Sequence, residues 1–229
     1  MCSMAWAFRD GGYELRFNRD EKWARPASAD PSLETDHPVP GACARDTAAG
    51  GTWLFTNEYG LTLAVLNAYP GGRIPPAGRR SRGEIPFVAA SAKTIDEAES
   101  ALVAYGCADF APFEAILIAE GQVRHFSWDG EGFRNLSLPA RKFLTTSSVE
   151  CELVKSVRNA RFDEISSSPL SNVLDDAFAG ENPATAIHVT REDGGTVSQT
   201  SVIVTSTGIR FSVQRRGGPA QEIIFPRKA

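Results

Sequence analysis

The chain has 229 residues, of which 42% are hydrophobic and 23% charged, and its formal net charge is −4. This is the composition of an ordinary globular protein, and a chain of this length buries a core without disulfide or metal support. The mild acidity argues against a nucleic-acid partner, and no apolar stretch approaches the roughly 20 residues that span a bilayer. We expect one domain over residues 1–229.

The start of the chain predicts a cytoplasmic protein. The apolar segment Met1–Phe8 is short, lacks a basic start and runs into the turn Asp10-Gly11-Gly12 rather than a cleavage site. The cysteines show neither a CxxC pair nor zinc spacing, so we expect free thiols and predict no metal site. They are Cys2, Cys43, Cys107 and Cys151.

The first third of the chain predicts two β-hairpins separated by an irregular segment. Residues 2–8 and 13–17 form the first, around Gly11-Gly12, and residues 24–48 read as a long surface excursion. The second joins residues 51–56 and 61–66 through Asn57-Glu58-Tyr59-Gly60. Its last strand is nearly all apolar, which indicates burial on both faces.

A loop rich in Gly, Pro and Arg, residues 68–83, precedes two predicted helices. Glu84–Ala92 is the first, with Pro86 tolerated in its first turn. Thr94–Tyr105 is the second, since Thr94 and Glu97 form a capping box and Gly106 is a stop signal.

The rest of the chain alternates between strands and helices. The predicted strands are Phe113–Ala119, Gln122–Trp128, Phe133–Leu138, Ala186–Thr190, Thr196–Thr205, Ile209–Gln214 and Glu222–Phe225. Between them, Ala160–Ile165 and Pro169–Ala179 read as short helices. Segregated blocks of this kind favour an α+β layered fold with helices outside two stacked antiparallel sheets.

Three segments in this order resemble the NRDE family, the family of transport and Golgi organisation protein 2. Met1-Cys2 opens a strand, and Asn18-Arg19-Asp20-Glu21 follows the next one. Gly50-Gly51-Thr52-Trp53-Leu54 then leads into a strand that ends at Asn67, and Ser81-Arg82-Gly83-Glu84 precedes the first helix. The resemblance is dense over residues 1–105 and thin beyond them.

That family is similar to the N-terminal-nucleophile (Ntn) hydrolases, among them the bile-salt and penicillin V acylases. The resemblance implies a four-layer αββα sandwich. It also implies three roles: Cys2 as the nucleophile, Asp20 as the carboxylate that orients a new N-terminus, and Asn67 as an amide of the oxyanion hole.

The chain departs from the acylase pattern at three places. Phe17 stands where the acylases carry an arginine, and Arg19 is the candidate to replace it. Residues 145–148 read Thr-Thr-Ser-Ser where many relatives have Ser-Asn. The chain therefore lacks the asparagine that would be the second hydrogen-bond donor of the oxyanion hole. Ser198-Gln199 stands where relatives carry a late arginine.

An N-terminal cysteine carries its own base. The small side chain of Cys2 permits removal of Met1, and a freed α-amine with a pKa of about 7.7–8.0 can accept the thiol proton at neutral pH. Each residue also has a plainer interpretation: Cys2 as a small apolar strand residue, Asp20 as a strand-end cap, and Asn67 as a turn former.

Four arginines follow Asn67 closely in the Gly/Pro loop. Because guanidinium groups match carboxylates and phosphates, we predict an anion-binding rim, with a solvated loop as the alternative. These arginines are Arg73, Arg79, Arg80 and Arg82.

Two functions from different classes remain open. One is a cysteine amidohydrolase that cleaves a linear amide bond. The other, implied by the association of the NRDE family with haem trafficking and with a proposed acyl-lipid role, is a non-catalytic carrier using the same pocket. A degenerate relative with a structural role is a third reading. We expect a small, anionic ligand and no cofactor, with haem a ligand under the carrier hypothesis; the oligomeric state stays open.

Overall fold

The computed structural model of the chain describes residues 1–136, 142–179 and 182–229. The described residues form thirteen strands: β1 Cys2–Arg9, β2 Gly12–Lys22, β3 Pro31–Glu34, β4 Gly41–Ala44, β5 Leu54–Asn57, β6 Thr62–Asn67, β7 Phe113–Ala119, β8 Gln122–Trp128, β9 Phe133–Leu136, β10 Phe143–Thr146, β11 Gly194–Val204, β12 Gly208–Arg215 and β13 Ala220–Pro226. The α-helices are α1 Ile95–Tyr105, α2 Cys151–Ile165 and α3 Leu170–Leu174, and the 3-10 helices are Pro70–Gly72, Arg82–Ser91 and Pro183–Thr185.

The strands build two antiparallel sheets. The first has the order β10-β1-β2-β11-β12-β13, and the second has the order β3-β4-β5-β6-β7-β8-β9. Long-range pairing places the start of the chain between β2 and β10, so that β1 is an inner strand of the first sheet.

The two sheets stack through alternate side chains. Met4, Trp6 and Phe17 of the first sheet meet Leu54 and Ile116 of the second in one buried cluster. Since side chains alternate between the faces of a strand, the neighbouring residues of these strands point outward and need their own cover.

Helices supply that cover on both sides. On the second sheet, Phe55 and Leu117 pack under the 3-10 helix Arg82–Ser91 and under α1. On the first sheet, Ala5 and Phe143 pack against α2 and α3. The described residues therefore form the predicted αββα sandwich. No helix among them is both long and apolar enough to cross a membrane.

Several elements have the predicted bounds. The β7–β8 hairpin coincides with its prediction and turns at Gly121, whose φ is +69°. β6 is buried on both faces as expected. Thr94 caps α1 by accepting from the Glu97 amide at 3.2 Å. The reciprocal bond is shifted by one residue, because the Glu97 carboxylate accepts from the Lys93 amide at 2.8 Å.

The predicted surface excursion, residues 24–48, was wrong in part because it contains β3 and β4. All four residues of β4 are buried, and Cys43 packs into the core under the helices. The predicted helix Glu84–Ala92 is the 3-10 helix Arg82–Ser91. Pro86 lies inside it and has no amide hydrogen for an α-helical bond.

The last third of the chain differs more. Residues 186–190 do not form a strand, since the Ile187 carbonyl accepts from Asn18 at 3.1 Å and the His188 amide donates to Asp176. β10 was not predicted at all. α2 starts nine residues before its predicted start at Ala160, and α3 is confined to Leu170–Leu174. Residues 137 and 138 of the predicted strand 133–138 lie outside the described residues.

Candidate active site

Cys2 lies at the first position of β1, between two partner strands. It is opposite Arg19 of β2 and opposite Thr146 of β10. Residues that are opposite in an antiparallel ladder share one face. All three side chains therefore point into the layer between the sheets, and the Cys2 residue is only 8% exposed.

A cavity of about 580 Å³ opens in front of Cys2. Asn67, at the end of β6, lines it, and no described residue forms a hydrogen bond with the Asn67 amide group. The amide is therefore available to a ligand. The structure thus brings Cys2 and Asn67, which are far apart in sequence, to one concave site.

The predicted arginines divide between two places. Arg79, Arg80 and Arg82 line the cavity of Cys2. Arg73 does not: it lines a separate, open depression together with Ile74.

The three arginines at the Cys2 cavity differ in their partners. Arg79 lies 3.5 Å from Asp109, and Arg80 lies 2.7 Å from Glu84. Arg82 has no carboxylate at salt-bridge distance among the described residues, and it donates to the Pro112 carbonyl at 2.8 Å.

Arg82 is also the most buried of these cations. Burial lowers the pKa of its guanidinium, while the nearby Tyr69 and Cys2 oppose that change. A guanidinium next to a thiol favours the thiolate. Arg82 is therefore the arginine best placed to bind an anion beside Cys2.

Arg19 is held rigidly inside the cavity. Its guanidinium lies 2.5 Å from the Asp46 carboxylate and 5.0 Å from the ring centroid of Trp53. Asp46 also binds Arg25 at 2.9 Å. Arg19 and Phe17 lie two residues apart on the same face of β2. Arg19 therefore places a cation at the site from the strand in which the acylases carry their arginine.

Asp20 lies on the opposite face of β2 from Arg19. Its Oδ1 accepts from Thr196 at 2.7 Å, whereas its buried Oδ2 has no hydrogen-bond partner. It does not line the cavity but lies beside the start of the chain. The Asp20 amide donates to the Met1 carbonyl at 3.1 Å, and the Met1 amine donates to the Asp20 carbonyl at 3.4 Å.

A buried arginine below Asp20 was not predicted from the sequence. Arg158 of α2 is fully buried, and its guanidinium lies 3.9 Å from Asp20 Oδ2. It donates to Ser3 Oγ at 3.0 Å, to Thr145 Oγ1 at 2.8 Å and to the Ala184 carbonyl at 2.9 Å. The signal was present, because Val154, Arg158 and Phe162 recur every four residues, which puts a charge on an apolar stripe.

Burial and charge shift the protonation of these groups in opposite directions. Burial raises the pKa of the Cys2 thiol, and the neighbouring chain-terminal amine counteracts this. Burial also raises the pKa of Asp20, against the attraction of Arg158. Burial by itself lowers the pKa of the Met1 amine, but interactions with Cys2, Tyr69 and Asp20 outweigh it and leave that pKa raised.

The described residues contain no cluster of His, Cys, Asp and Glu that could hold a metal ion. The arrangement is suited to acyl chemistry: a thiol, an amide donor and cations surround one cavity, and a buried carboxylate lies beside the start of the chain. Such a set can attack a carbonyl and stabilise the negative charge that develops on its oxygen.

The family described as Transport and Golgi organisation 2 matches residues 1–147 of the chain. No curated protein matches the chain in sequence. In three dimensions the chain is similar to the conjugated bile acid hydrolase from Clostridium perfringens, crystallised as a cysteine-to-alanine mutant, with a TM-score of 0.62, 12% identity, and coverage of 100% of this chain and 97% of that one.

A second similar structure is the Caenorhabditis elegans ortholog of N-acylethanolamine-hydrolyzing acid amidase. Its TM-score is 0.56 at 13% identity, with coverage of 89% of this chain and 92% of that one. At these identities the likeness shows the fold and nothing further about chemistry. Both likenesses agree with the predicted Ntn-hydrolase architecture.

Proposed function

The chain belongs to the Transport and Golgi organisation 2 family, and from that premise we propose that it is a cysteine amidohydrolase that cleaves a linear amide bond through an acyl-enzyme. One observation carries the proposal: the Cys2 thiol and the free amide of Asn67 line the same cavity. The similar structures named as hydrolases of conjugated bile acids and of N-acylethanolamines support the same class of bond.

The reaction begins with a free Cys2 amine, which requires removal of Met1. This amine takes the thiol proton, and the sulfur attacks the amide carbonyl carbon. The oxyanion that forms accepts a hydrogen bond from Asn67, and one such donor contributes about 2.7–4 kcal/mol. The intermediate collapses to a thioester while the leaving amine takes the proton from the Cys2 ammonium. Water then attacks the thioester and releases the acid.

Asp20 and the arginines have supporting roles in this scheme. Asp20 interacts electrostatically with the chain-terminal amine and its Oδ2 has no hydrogen-bond partner, so it can hold the Cys2 ammonium. Arg82 is placed to bind an anionic group of the acyl half, and Arg19 adds positive charge beside the thiol. We also propose that the protein is cytoplasmic and that Met1 is removed there.

The test is an intact-mass measurement of the purified chain before and after incubation with p-nitrophenyl acetate. We expect a chain without Met1 that gains one acetyl group. Cys2→Ala should abolish the gain, whereas the control Cys107→Ala, which removes a more exposed thiol, should keep it. Retention of Met1 in active protein, or equal acetylation of Cys2→Ala, would refute the mechanism.

A carrier that binds without turnover is a second candidate. It is favoured by the three arginines beside Cys2, because guanidinium groups pair with carboxylates such as haem propionates and with acyl-carrier phosphates. Haem titration followed by absorbance tests it. A Soret shift that is lost in Arg82→Ala supports carriage, and an unchanged spectrum at micromolar protein refutes haem binding.

A further inference from the structure

A second cavity, of about 430 Å³, lies next to the cavity of Cys2. The two cavities adjoin each other at the ends of two strands, β10 and β6. Thr146, which lines the second cavity, is opposite Cys2 across the β1–β10 ladder, and Ala68 of the second cavity follows Asn67 of the first along the chain. Opposite residues in such a ladder have Cβ atoms about 5 Å apart. A molecule that reacts at Cys2 can therefore extend into both cavities.

The second cavity contains two buried polar atoms without partners. They are Nδ1 of His125 and Oγ1 of Thr146, and these residues are 6% and 2% exposed. A buried polar atom without a hydrogen bond is costly, so native proteins satisfy nearly all of them. Both atoms belong to side chains that line this cavity. Both atoms lie just beneath the wall of the cavity, so a ligand with hydrogen-bonding groups satisfies them after a small rotation of these side chains.

The charge of the second cavity is negative. Glu114, Asp129 and Glu152 line it, against Lys155 as its only lysine or arginine among the described residues, and Asp129 also pairs with Arg134 outside the lining. Lys155 lies 3.7 Å from Glu152 at the rim. Glu114 is deeper: its oxygens accept from His125 Nε2 at 2.8 Å and from Ser127 Oγ at 3.1 Å.

These contacts hold the Glu114 carboxylate in place at the wall of the cavity. Each of its oxygens has a second lone pair, which remains available to a donor from a ligand. The first cavity, by contrast, presents Arg82 and Arg19. The two cavities thus have opposite electrostatic character.

We infer that the second cavity is the subsite for the leaving-amine half of the substrate and that it selects an amine carrying a second, cationic nitrogen. This inference rests on the proposed function for its place in the reaction, but not for the binding of the cation. It predicts a substrate with an anionic acyl half near Arg82 and a cationic amine half near Glu114.

Binding is tested first, because it does not require turnover. Calorimetric titration of the intact protein compares putrescine with butanediol, a neutral molecule of similar length. We expect putrescine to bind at least about tenfold more tightly, which corresponds to about 1.4 kcal/mol. Glu114→Gln keeps the shape and should remove that preference. Thr146→Val, which is nearly isosteric, should weaken putrescine binding by about fivefold through the lost hydrogen bond.

The matched control is Glu120→Gln, which removes a carboxylate from the far end of the same β7–β8 hairpin, where Glu120 pairs with Arg227. It should bind putrescine like the original protein. Equal affinity for putrescine and butanediol, or equal loss in the Glu120 and Glu114 variants, would overturn the inference.

Turnover is measured second, with amides that share a succinyl group and differ in the amine. The inference predicts the highest kcat/KM for the putrescine amide, a lower value for the butylamine amide and the lowest for the γ-aminobutyrate amide. Equal values would overturn it even if hydrolysis occurs. Putrescine binding without any hydrolysis would instead support the cation site and refute the amidohydrolase.

Discussion

Arg158→Met is the substitution that tests the buried charge pair below the start of the chain. Arg158 is fully buried, with a guanidinium 3.9 Å from Asp20 Oδ2 and hydrogen bonds to Ser3, Thr145 and Ala184. Removing one member of a buried pair leaves an uncompensated charge, which costs about 3–5 kcal/mol. We therefore expect the free energy of unfolding to fall by about 4 kcal/mol near neutral pH.

The loss should depend on pH. Burial raises the pKa of Asp20 in the folded chain, and removal of Arg158 raises it further, since Arg158 is the largest opposing influence. A folded state that binds the proton more tightly than the unfolded state loses stability as pH rises from the ordinary carboxyl pKa through the folded pKa. The variant has the higher folded pKa, so the difference in stability between the two proteins grows as pH rises from the folded pKa of the original chain to that of the variant. Arg158→Met should therefore be more destabilising at about pH 8 than at about pH 5, by up to 1.4 kcal/mol for each pH unit between those two pKa values.

Urea unfolding followed by tryptophan fluorescence measures both effects. Arg161→Met is the matched control on the same helix, because Arg161 forms a partly exposed pair with Asp176 at 2.8 Å. Its loss should be smaller and without the same pH dependence. The double variant Asp20→Asn with Arg158→Met should recover part of the stability. Equal losses in the two arginine variants would refute the assignment of Arg158 as the partner of an ionised Asp20.

Three further predictions concern the scaffold. Asn57→Ala should lower the free energy of unfolding by about 3 kcal/mol in the same urea assay, because Asn57 is fully buried and its side chain makes four hydrogen bonds to the backbone. Gly51→Ala should lower the free energy of unfolding by about 1–3 kcal/mol and lower Tm with it, since its Cβ would lie 2.7 Å from the Gly83 backbone. An unchanged Tm would contradict this close packing. An aromatic disulfide reagent at mildly alkaline pH should label Cys107 in the native protein but Cys43 only after unfolding, because burial raises the pKa of Cys43 to about 12.

The sequence was informative where local pattern and turn chemistry agree. The β7–β8 hairpin has alternating inward side chains and a glycine at its turn, and its bounds were predicted correctly. The capping of α1 by Thr94 followed from the same kind of local signal. The layered architecture followed from the order of such segments and from the family resemblance.

The sequence was uninformative where long-range pairing decides. β10 is only four residues long, and it is a strand because it completes the first sheet beside β1. Nothing local in Thr145-Thr146 indicates that Thr146 lies opposite Cys2. The same limitation explains why Arg158 was missed as the partner of Asp20, since that contact joins a helix and a strand more than a hundred residues apart.

The alternation of β2 separates Arg19 from Asp20. Adjacent residues of a strand point to opposite faces, so Arg19 and Asp20 cannot both face the cavity. The structure puts Arg19 there and Asp20 below, next to the first peptide of the chain. A carboxylate in that position is better placed to hold an amine than to contact a substrate.

The contact between Gly51 and Gly83 joins two of the segments on which the family resemblance rests. The Thr52 amide donates to the Gly83 carbonyl at 2.9 Å, and the two backbones approach too closely for a side chain on Gly51. This contact fixes the end of the Gly/Pro loop that contains Ser81 against the segment before β5. The loop itself is tied to the segment before β7, because the Ala68 and Arg80 amides donate to the Pro112 and Asp109 carbonyls at 3.0 and 3.1 Å. Relatives should therefore keep both glycines as a matched pair, since a side chain on either would force the two backbones apart.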